Sequence, residues 1–90
     1  MEHLILLDED YAPVRENTIE LLELFGYRTI TACNGREGLA AALINIPDLI
    51  LSDIQMPGMN GLVLYKLVRE HASLDQTRFV FLLPLSKKRI

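Results

Sequence analysis

Acidic side chains follow two apolar runs of this sequence, and their spacing predicts a metal site. Asp8, Glu9 and Asp10 follow the first run, near the N-terminus, and Asp53 closes the second. If the two runs are neighbouring parallel strands, these acids meet at the sheet edge where open α/β proteins bind ligands. Carboxylates that repel one another favour a neutralising cation, and an oxygen-only group suits a hard ion. We therefore predict a Mg²⁺ site in which Asp53 accepts a phosphoryl group.

The composition predicts one small cytoplasmic domain. The chain has 90 residues, of which half are apolar, so it can form one core. A single cysteine, Cys33, excludes an internal disulfide framework. The N-terminus shows no targeting signal, and no apolar run approaches the length of a membrane span. The net charge of −3 gives no electrostatic indication of nucleic-acid binding, so we expect neither a nucleic-acid nor a membrane partner.

Strand-like and helix-like segments alternate along the chain. The predicted strands are Leu4–Leu7, Tyr27–Cys33, Leu49–Asp53 and Phe79–Leu83, and the predicted helices are Pro13–Phe25, Arg36–Asn45 and Leu62–His71. Each connection between consecutive strands is long enough for a right-handed crossover, which favours a parallel sheet with helices on its faces. The fold class is therefore α/β, a doubly wound parallel sheet.

Helical periodicity predicts which residues of each helix face the sheet. They are Val14, Leu21, Leu22 and Phe25 in the first helix, Leu39, Ala40, Leu43 and Ile44 in the second, and Leu64, Leu67, Val68 and His71 in the third. With these faces inward, the helices would cover the apolar strands and leave their polar residues in water. This is the arrangement that a parallel sheet requires.

Three motifs stand in an order that is specific in combination. The acid pair Glu9-Asp10 comes first, and Arg15 follows with five residues between it and Glu9. A later strand ends in Asp53. The next loop, Ile54–Gly61, contains Met-Pro-Gly and a second glycine three residues further on. Over about residues 3 to 83, the sequence closely resembles the receiver domain of two-component response regulators. The resemblance implies the flavodoxin-like receiver fold.

The resemblance also implies roles for individual residues. In this family the strand-ending aspartate, here Asp53, accepts a phosphoryl group from a histidine kinase. The acid pair binds Mg²⁺, which implies that Glu9 and Asp10 are metal ligands together with Asp53, with Asp10 a direct ligand. A backbone carbonyl two residues beyond the acceptor also binds the metal, which points to Gln55. Asp8 stands where the family usually has a hydrophobic residue, and it receives no role.

The sequence departs from the family near its C-terminus. The hydroxyl residue that ends the fourth strand is replaced by Leu83, and the lysine after the fifth strand has no counterpart. We therefore expect an incomplete receiver domain over residues 1–90, truncated after the fourth strand and lacking the last helices and the fifth strand. Such a domain should change conformation only weakly on phosphorylation, because the hydroxyl group and the lysine that would contact the phosphoryl group are both absent. Its open strand edge and uncovered sheet face predict either a homodimer or a fragment of a larger regulator, and of the two we expect the homodimer.

Two other functions compete with this hypothesis. A pseudo-receiver that no longer switches would act as a protein-interaction module, by dimerising or by occupying a kinase. A hydrolytic phosphatase would need a second catalytic acid two residues after Asp53, where Gln55 stands. The preferred prediction is a phosphoryl-accepting domain that is not an enzyme, with Mg²⁺ as cofactor and a histidine kinase as partner.

Overall fold

The structure is a computed structural model, and it describes residues 3–82. The strands in this range are β1 (Leu4–Asp8), β2 (Arg28–Ala32), β3 (Leu49–Asp53) and β4 (Arg78–Leu82). The α-helices are α1 (Ala12–Leu24), α2 (Gly35–Asn45) and α3 (Gly61–Arg69), and a short 3₁₀ helix, Ala72–Leu74, precedes β4. All seven predicted elements are present, and none of their bounds differs from the predicted one by more than two residues. Leu83 and the predicted tail Pro84–Ile90 lie outside the described residues.

The strands form one parallel sheet in the order β2-β1-β3-β4. β1 and β3 are central neighbours, and the register places Asp8 beside Ser52. Because β1 and β3 run in the same direction, their carboxyl ends lie side by side at the point where the strand order reverses. The predicted doubly wound parallel fold is confirmed.

The main core lies between the sheet and the helices α2 and α3. Its fully or nearly fully buried members are Leu6, Ala32, Ala42, Ile50, Met56, Leu64, Val68 and Leu74. The predicted inward positions Leu64 and Val68 of α3 are confirmed, since neither side chain is exposed. Burial of side chains of this size stabilises the fold by about 1.5–3 kcal/mol each, so this side of the sheet anchors the loops that follow β1 and β3.

The inward face of α2 differs in part from the predicted one, of which only Leu39 packs against the core. Its buried residues are Gly35, Gly38 and Ala42, whereas the predicted Leu43 and Ile44 are exposed. Small residues on the inner face bring the helix axis close to β1. Periodicity of large apolar residues could not reveal this face, because glycine and alanine contribute little hydrophobic signal.

α1 packs less deeply than predicted. None of its residues is fully buried, and the predicted inward residues Leu21 and Phe25 are 53% and 72% exposed. Val14 and Leu22 are partly buried, as predicted, and Ile19 joins them. The helix therefore contacts β1 and β2 through a narrower stripe than the sequence pattern indicates.

Two expectations concern the extent and placement of the chain. Within residues 3–82, no helix is both long enough and apolar enough to cross a membrane. The expectation of a single, incomplete domain over residues 1–90 stays a prediction, because the described range ends with β4.

Candidate functional site

The loops after β1 and β3 bring three acids together. Glu9, Asp10 and Asp53 each offer one carboxylate oxygen, and these oxygens all lie within 4.8 Å of one another. Glu9 and Asp53 are each only 1% exposed, whereas Asp10 is half-buried. The group is therefore open to solvent mainly on the side of Asp10.

Backbone hydrogen bonds fix Glu9 at the end of β1. Its N–H donates to the carbonyl of Ala32 at 3.0 Å, which continues the β1–β2 pairing by one residue. The Arg15 Nη1 donates to the Glu9 carbonyl at 2.8 Å, and the Tyr11 N–H donates to Glu9 Oε2 at 3.1 Å. The first turn of α1 thus holds the acidic loop. The sequence pattern included Arg15 but did not reveal this contact, because the reach of its side chain depends on the loop geometry.

The loop after Asp53 is closed by two contacts of its own backbone. The Gln55 N–H donates to Asp53 Oδ1 at 3.3 Å, and the Gly61 N–H donates to the Ile54 carbonyl at 2.8 Å. Asn60 caps α3, with its side-chain oxygen accepting from the Val63 N–H at 3.0 Å. The predicted metal contact of the Gln55 carbonyl stays a prediction.

Gly61 is a packing requirement of this loop. A Cβ at this position would meet the backbone oxygen of Asp53, and it would lie 3.0 Å from the Ile54 Cα. Both neighbours are backbone, so they cannot rotate away. Gly61→Ala is expected to destabilise the fold by about 1–3 kcal/mol, the usual cost of overpacking, as measured by urea unfolding.

Gly58→Ala is the matched control for Gly61→Ala. Gly58 has a positive φ of 75°, but nothing lies within 4 Å of a Cβ there. Its replacement should cost about 1 kcal/mol through backbone strain alone. If Gly61→Ala lost no more stability than Gly58→Ala, the end of β3 would be shown to move freely.

The structure separates Asp8 from the other three acids. Successive side chains of a strand point to opposite faces of the sheet, and Asp8 points beneath α2, where a Cβ at Gly38 would overlap its carboxylate. Asp8 is 0% exposed, and neither of its carboxylate oxygens has a hydrogen-bond partner among the described residues. Burial, followed by the negative charges of Glu37, Glu9 and Asp10, raises the pKa of Asp8 from 3.8 to about 7.

Glu37 belongs to the N-terminal cap of α2. The Asn34 side chain accepts from the Glu37 N–H at 2.9 Å, and Glu37 Oε1 accepts from the Cys33 N–H and Sγ at 3.1 and 3.0 Å. The arrangement resembles a capping box, except that Glu37 accepts from the residue before the N-cap Asn34 and not from the N-cap itself. The side-chain hydrogen bond raises the pKa of the Cys33 thiol and lowers the pKa of the Glu37 carboxyl. Glu37 therefore serves the helix terminus, away from the group of three acids.

Comparison with known proteins identifies the family. The model of the response regulator receiver domain matches residues 5–86. The chain belongs to this family. It is 38% identical over 72 residues to the phosphate regulon transcriptional regulatory protein PhoB of Pseudomonas aeruginosa, a match that covers 79% of this chain and 31% of PhoB. The chain thus spans about three tenths of the length of the first curated relatives that it matches.

Solved receiver structures share the fold. The chemotaxis response regulator CheY4 of Vibrio cholerae superposes with a TM-score of 0.86 at 31% identity, over 97% of this chain and 76% of CheY4. The response regulator TrrA of Thermotoga maritima, solved in complex with Mg²⁺-BeF, superposes with a TM-score of 0.85 at 32% identity, over 93% of this chain and 70% of TrrA. These matches show that the chain shares the fold of solved response regulators.

The donor set of the acidic group fits a magnesium ion. All three donors are carboxylate oxygens, which a small hard cation prefers, and their mutual distance of at most 4.8 Å allows one ion to contact them together. The hydrogen bond from the Tyr11 N–H to Glu9 Oε2 holds that side chain in advance. The arrangement can therefore hold a divalent cation beside the oxygens of Asp53.

Proposed function

We propose that this receiver domain accepts a phosphoryl group on Asp53, with Mg²⁺ held by the side chains of Glu9, Asp10 and Asp53 and by the carbonyl of Gln55. The observation that carries the proposal is the convergence of three carboxylate oxygens within 4.8 Å at the ends of adjacent strands. A cluster of structural charges alone would not require two of its members to be nearly fully buried.

The chemistry follows from the type of each residue. An oxygen of Asp53 attacks the phosphorus of a phosphorylated imidazole, the P–N bond breaks, and the electron pair leaves with the imidazole nitrogen. The product is an acyl phosphate. Mg²⁺, when bound, neutralises the negative charge that gathers on the phosphoryl oxygens. The Gln55 N–H orients the Asp53 carboxylate, and Arg15 keeps the Glu9 loop in place.

The same proposal names the partners. The phosphoryl donor is a histidine kinase, and it approaches from the side of Asp10, the half-buried member of the group. The domain passes no group to a small molecule, so it acts as a signalling module and not as an enzyme. A cytoplasmic location suits Cys33, which is free and exposed. Pairing with a second copy also belongs to the proposal.

Labelling with acetyl phosphate tests this function directly. Acetyl phosphate and Mg²⁺ should add one phosphoryl group per chain by intact mass, and hydroxylamine should remove it, since an acyl phosphate is an activated carboxyl. Omitting Mg²⁺ should strongly reduce the yield. If no adduct forms at any Mg²⁺ concentration, the pseudo-receiver function replaces this one. The observation that favours the pseudo-receiver alternative is the 1% exposure of Asp53.

Mg²⁺ is expected to stabilise the fold, because it relieves the repulsion among the three acids. At a metal concentration one hundred times Kd, the free energy of unfolding should rise by about 2.7 kcal/mol, with a matching rise in Tm. Asp10→Asn should abolish most of this rise in a thermal melt followed by circular dichroism.

Asp75→Asn is the matched control for the Mg²⁺ measurement. Asp75 is an exposed acid that follows the 3₁₀ helix, outside the acidic group. This variant should keep the full response to Mg²⁺. An undiminished response in Asp10→Asn would remove Asp10 from the metal site.

A further inference from the structure

Three of the five glycines of this chain lie where a larger residue does not fit. They are Gly35, Gly38 and Gly61. A Cβ at either of the other two, Gly26 and Gly58, would have no atom within 4 Å. The close backbone contacts of glycine are thus confined to the segments around the acidic group, and two of them lie in the first turn of α2.

Gly35, the first residue of α2, touches the loop that follows β3. A Cβ there would lie 2.5 Å from the Met59 carbonyl oxygen and 2.8 Å from the Met59 Cβ. The Met59 side chain is partly buried against the main core, so this residue cannot swing outward without losing that contact. The loop is closed by the hydrogen bond from the Gly61 N–H to the Ile54 carbonyl. A displacement of Met59 would therefore move the residues that follow Asp53.

Gly38, three residues further along α2, touches the end of β1. A Cβ at this position would overlap the Asp8 carboxylate, and it would lie 2.9 Å from the Asp8 Cγ. Asp8 is 0% exposed, so its side chain has no open space into which it could rotate. Because Asp8 immediately precedes Glu9 and Asp10, a displacement of its backbone would move both acids.

Helix α2 has little freedom to move away from these contacts. Ala42, on the inner face of the helix, is fully buried in the main core. A Cβ at Gly38 would also lie 3.4 Å from the Leu64 Cδ2, which belongs to the same core. Only Cys33 and Asn34 separate the first residue of α2 from the end of β2. The first turn of α2 is therefore held in place, and the loops after β1 and β3 both rest against it.

We propose that Gly35 and Gly38 are positioning residues of the metal site, through which the first turn of α2 sets the distance between the acid pair and Asp53. This inference rests on the proposed function, because it takes the three acids as the Mg²⁺ site. Residues that orient metal ligands influence the affinity for the metal strongly. Alanine is a better helix former than glycine, so a helix without these contacts would gain stability from alanine at both positions.

Gly35→Ala and Gly38→Ala are each expected to raise the Kd for Mg²⁺ about tenfold, the usual effect of disturbing the residues behind metal ligands. The Kd is obtained from the rise in Tm over a series of MgCl₂ concentrations, starting from chain treated with EDTA.

Gly26→Ala is the matched control for both glycine variants. Gly26 has a φ of 91°, so its replacement costs stability through backbone strain. It precedes the amino end of β2, at the opposite end of the sheet from the acids. This variant should therefore lower the Tm without MgCl₂ and leave the Kd for Mg²⁺ unchanged within about twofold.

The contact between Gly38 and Asp8 has a rescue experiment of its own. Asp8→Ala removes the carboxylate that a Cβ at Gly38 would overlap. In the Asp8→Ala background, Gly38→Ala should change the Kd for Mg²⁺ by less than about twofold, because the added methyl group fills vacated space. Both chains of this comparison lack the Asp8 charge, so that charge does not contribute to the difference. If Gly38→Ala alone does not fold, the double variant decides, since it should fold and bind Mg²⁺ as Asp8→Ala does.

Three results would overturn the proposal. They are a wild-type Kd in Gly35→Ala and Gly38→Ala, an equal rise of the Kd in Gly26→Ala, and an effect of Gly38→Ala that is as large without the Asp8 carboxylate as with it. A wild-type chain whose Tm does not respond to MgCl₂ would overturn the proposed metal site and this inference together. Phosphoryl acceptance by Asp53 does not enter these measurements, so its failure is detected separately by acetyl phosphate labelling.

Discussion

Asp53→Asn is expected to leave the receiver domain folded and unable to take up a phosphoryl group. The carboxamide has almost the same shape as the carboxylate, but it lacks the nucleophilic oxygen that forms an acyl phosphate. The Gln55 N–H can still donate to the remaining side-chain oxygen. Intact mass after treatment with acetyl phosphate and Mg²⁺ should show only unmodified chain, and a thermal melt without Mg²⁺ should show a Tm at or above that of the wild type, since one of the three repelling charges is gone.

Asp8→Asn is the control that distinguishes the reactive acid from a merely buried one. Asp8 and Asp53 are both almost fully buried and both end central strands, yet Asp8 lies under α2, outside the group of three acids. The Asp8→Asn chain should therefore still be labelled. Equal labelling of wild type and Asp53→Asn would place the phosphoryl group on another residue and remove Asp53 as the acceptor.

The strands were the most predictable part of the fold. β3 has the bounds Leu49–Asp53 in the sequence-based prediction and in the structure. A parallel strand is buried on both faces, so it reads as a continuous apolar run that ends where the chain reaches solvent. Because the acids stand at these ends, the same signal predicted that Glu9, Asp10 and Asp53 would be neighbours, but it wrongly placed Asp8 in the same group.

The contacts between helices and sheet were less predictable. α2 packs through Gly35, Gly38 and Ala42, and the predicted Leu39 is partly buried against the same core. A search for large apolar side chains also selects Leu43 and Ile44, which are exposed. The position of Asp8 did follow from the sequence in principle, since neighbouring residues of a strand cannot point to the same face. The fit between Asp8 and Gly38 did not, because it depends on how closely α2 approaches β1.

Asp8→Val is expected to make the domain more stable at neutral pH. Asp8 has no hydrogen-bond partner for either oxygen among the described residues, and it lies fully buried against α2. Such an acid costs free energy whenever it is charged, and an uncompensated polar group costs about 1–3 kcal/mol even when neutral. Valine fits a buried strand, and its side chain is shorter than that of aspartate. Urea unfolding with EDTA present, at about pH 8, should show a gain of several kcal/mol.

The pH dependence of stability should identify Asp8 as the cause. Its pKa of about 7 in the folded chain is above the ordinary value of 3.8, so the unfolded chain releases this proton first as the pH rises. The free energy of unfolding of the wild type should therefore fall between about pH 4 and pH 7, by about 4 kcal/mol in total, and level off above that range. This component should vanish in Asp8→Val and persist in the control Asp75→Asn. Parallel pH profiles for wild type and Asp8→Val would mean that Asp8 ionises in the folded chain as easily as in water.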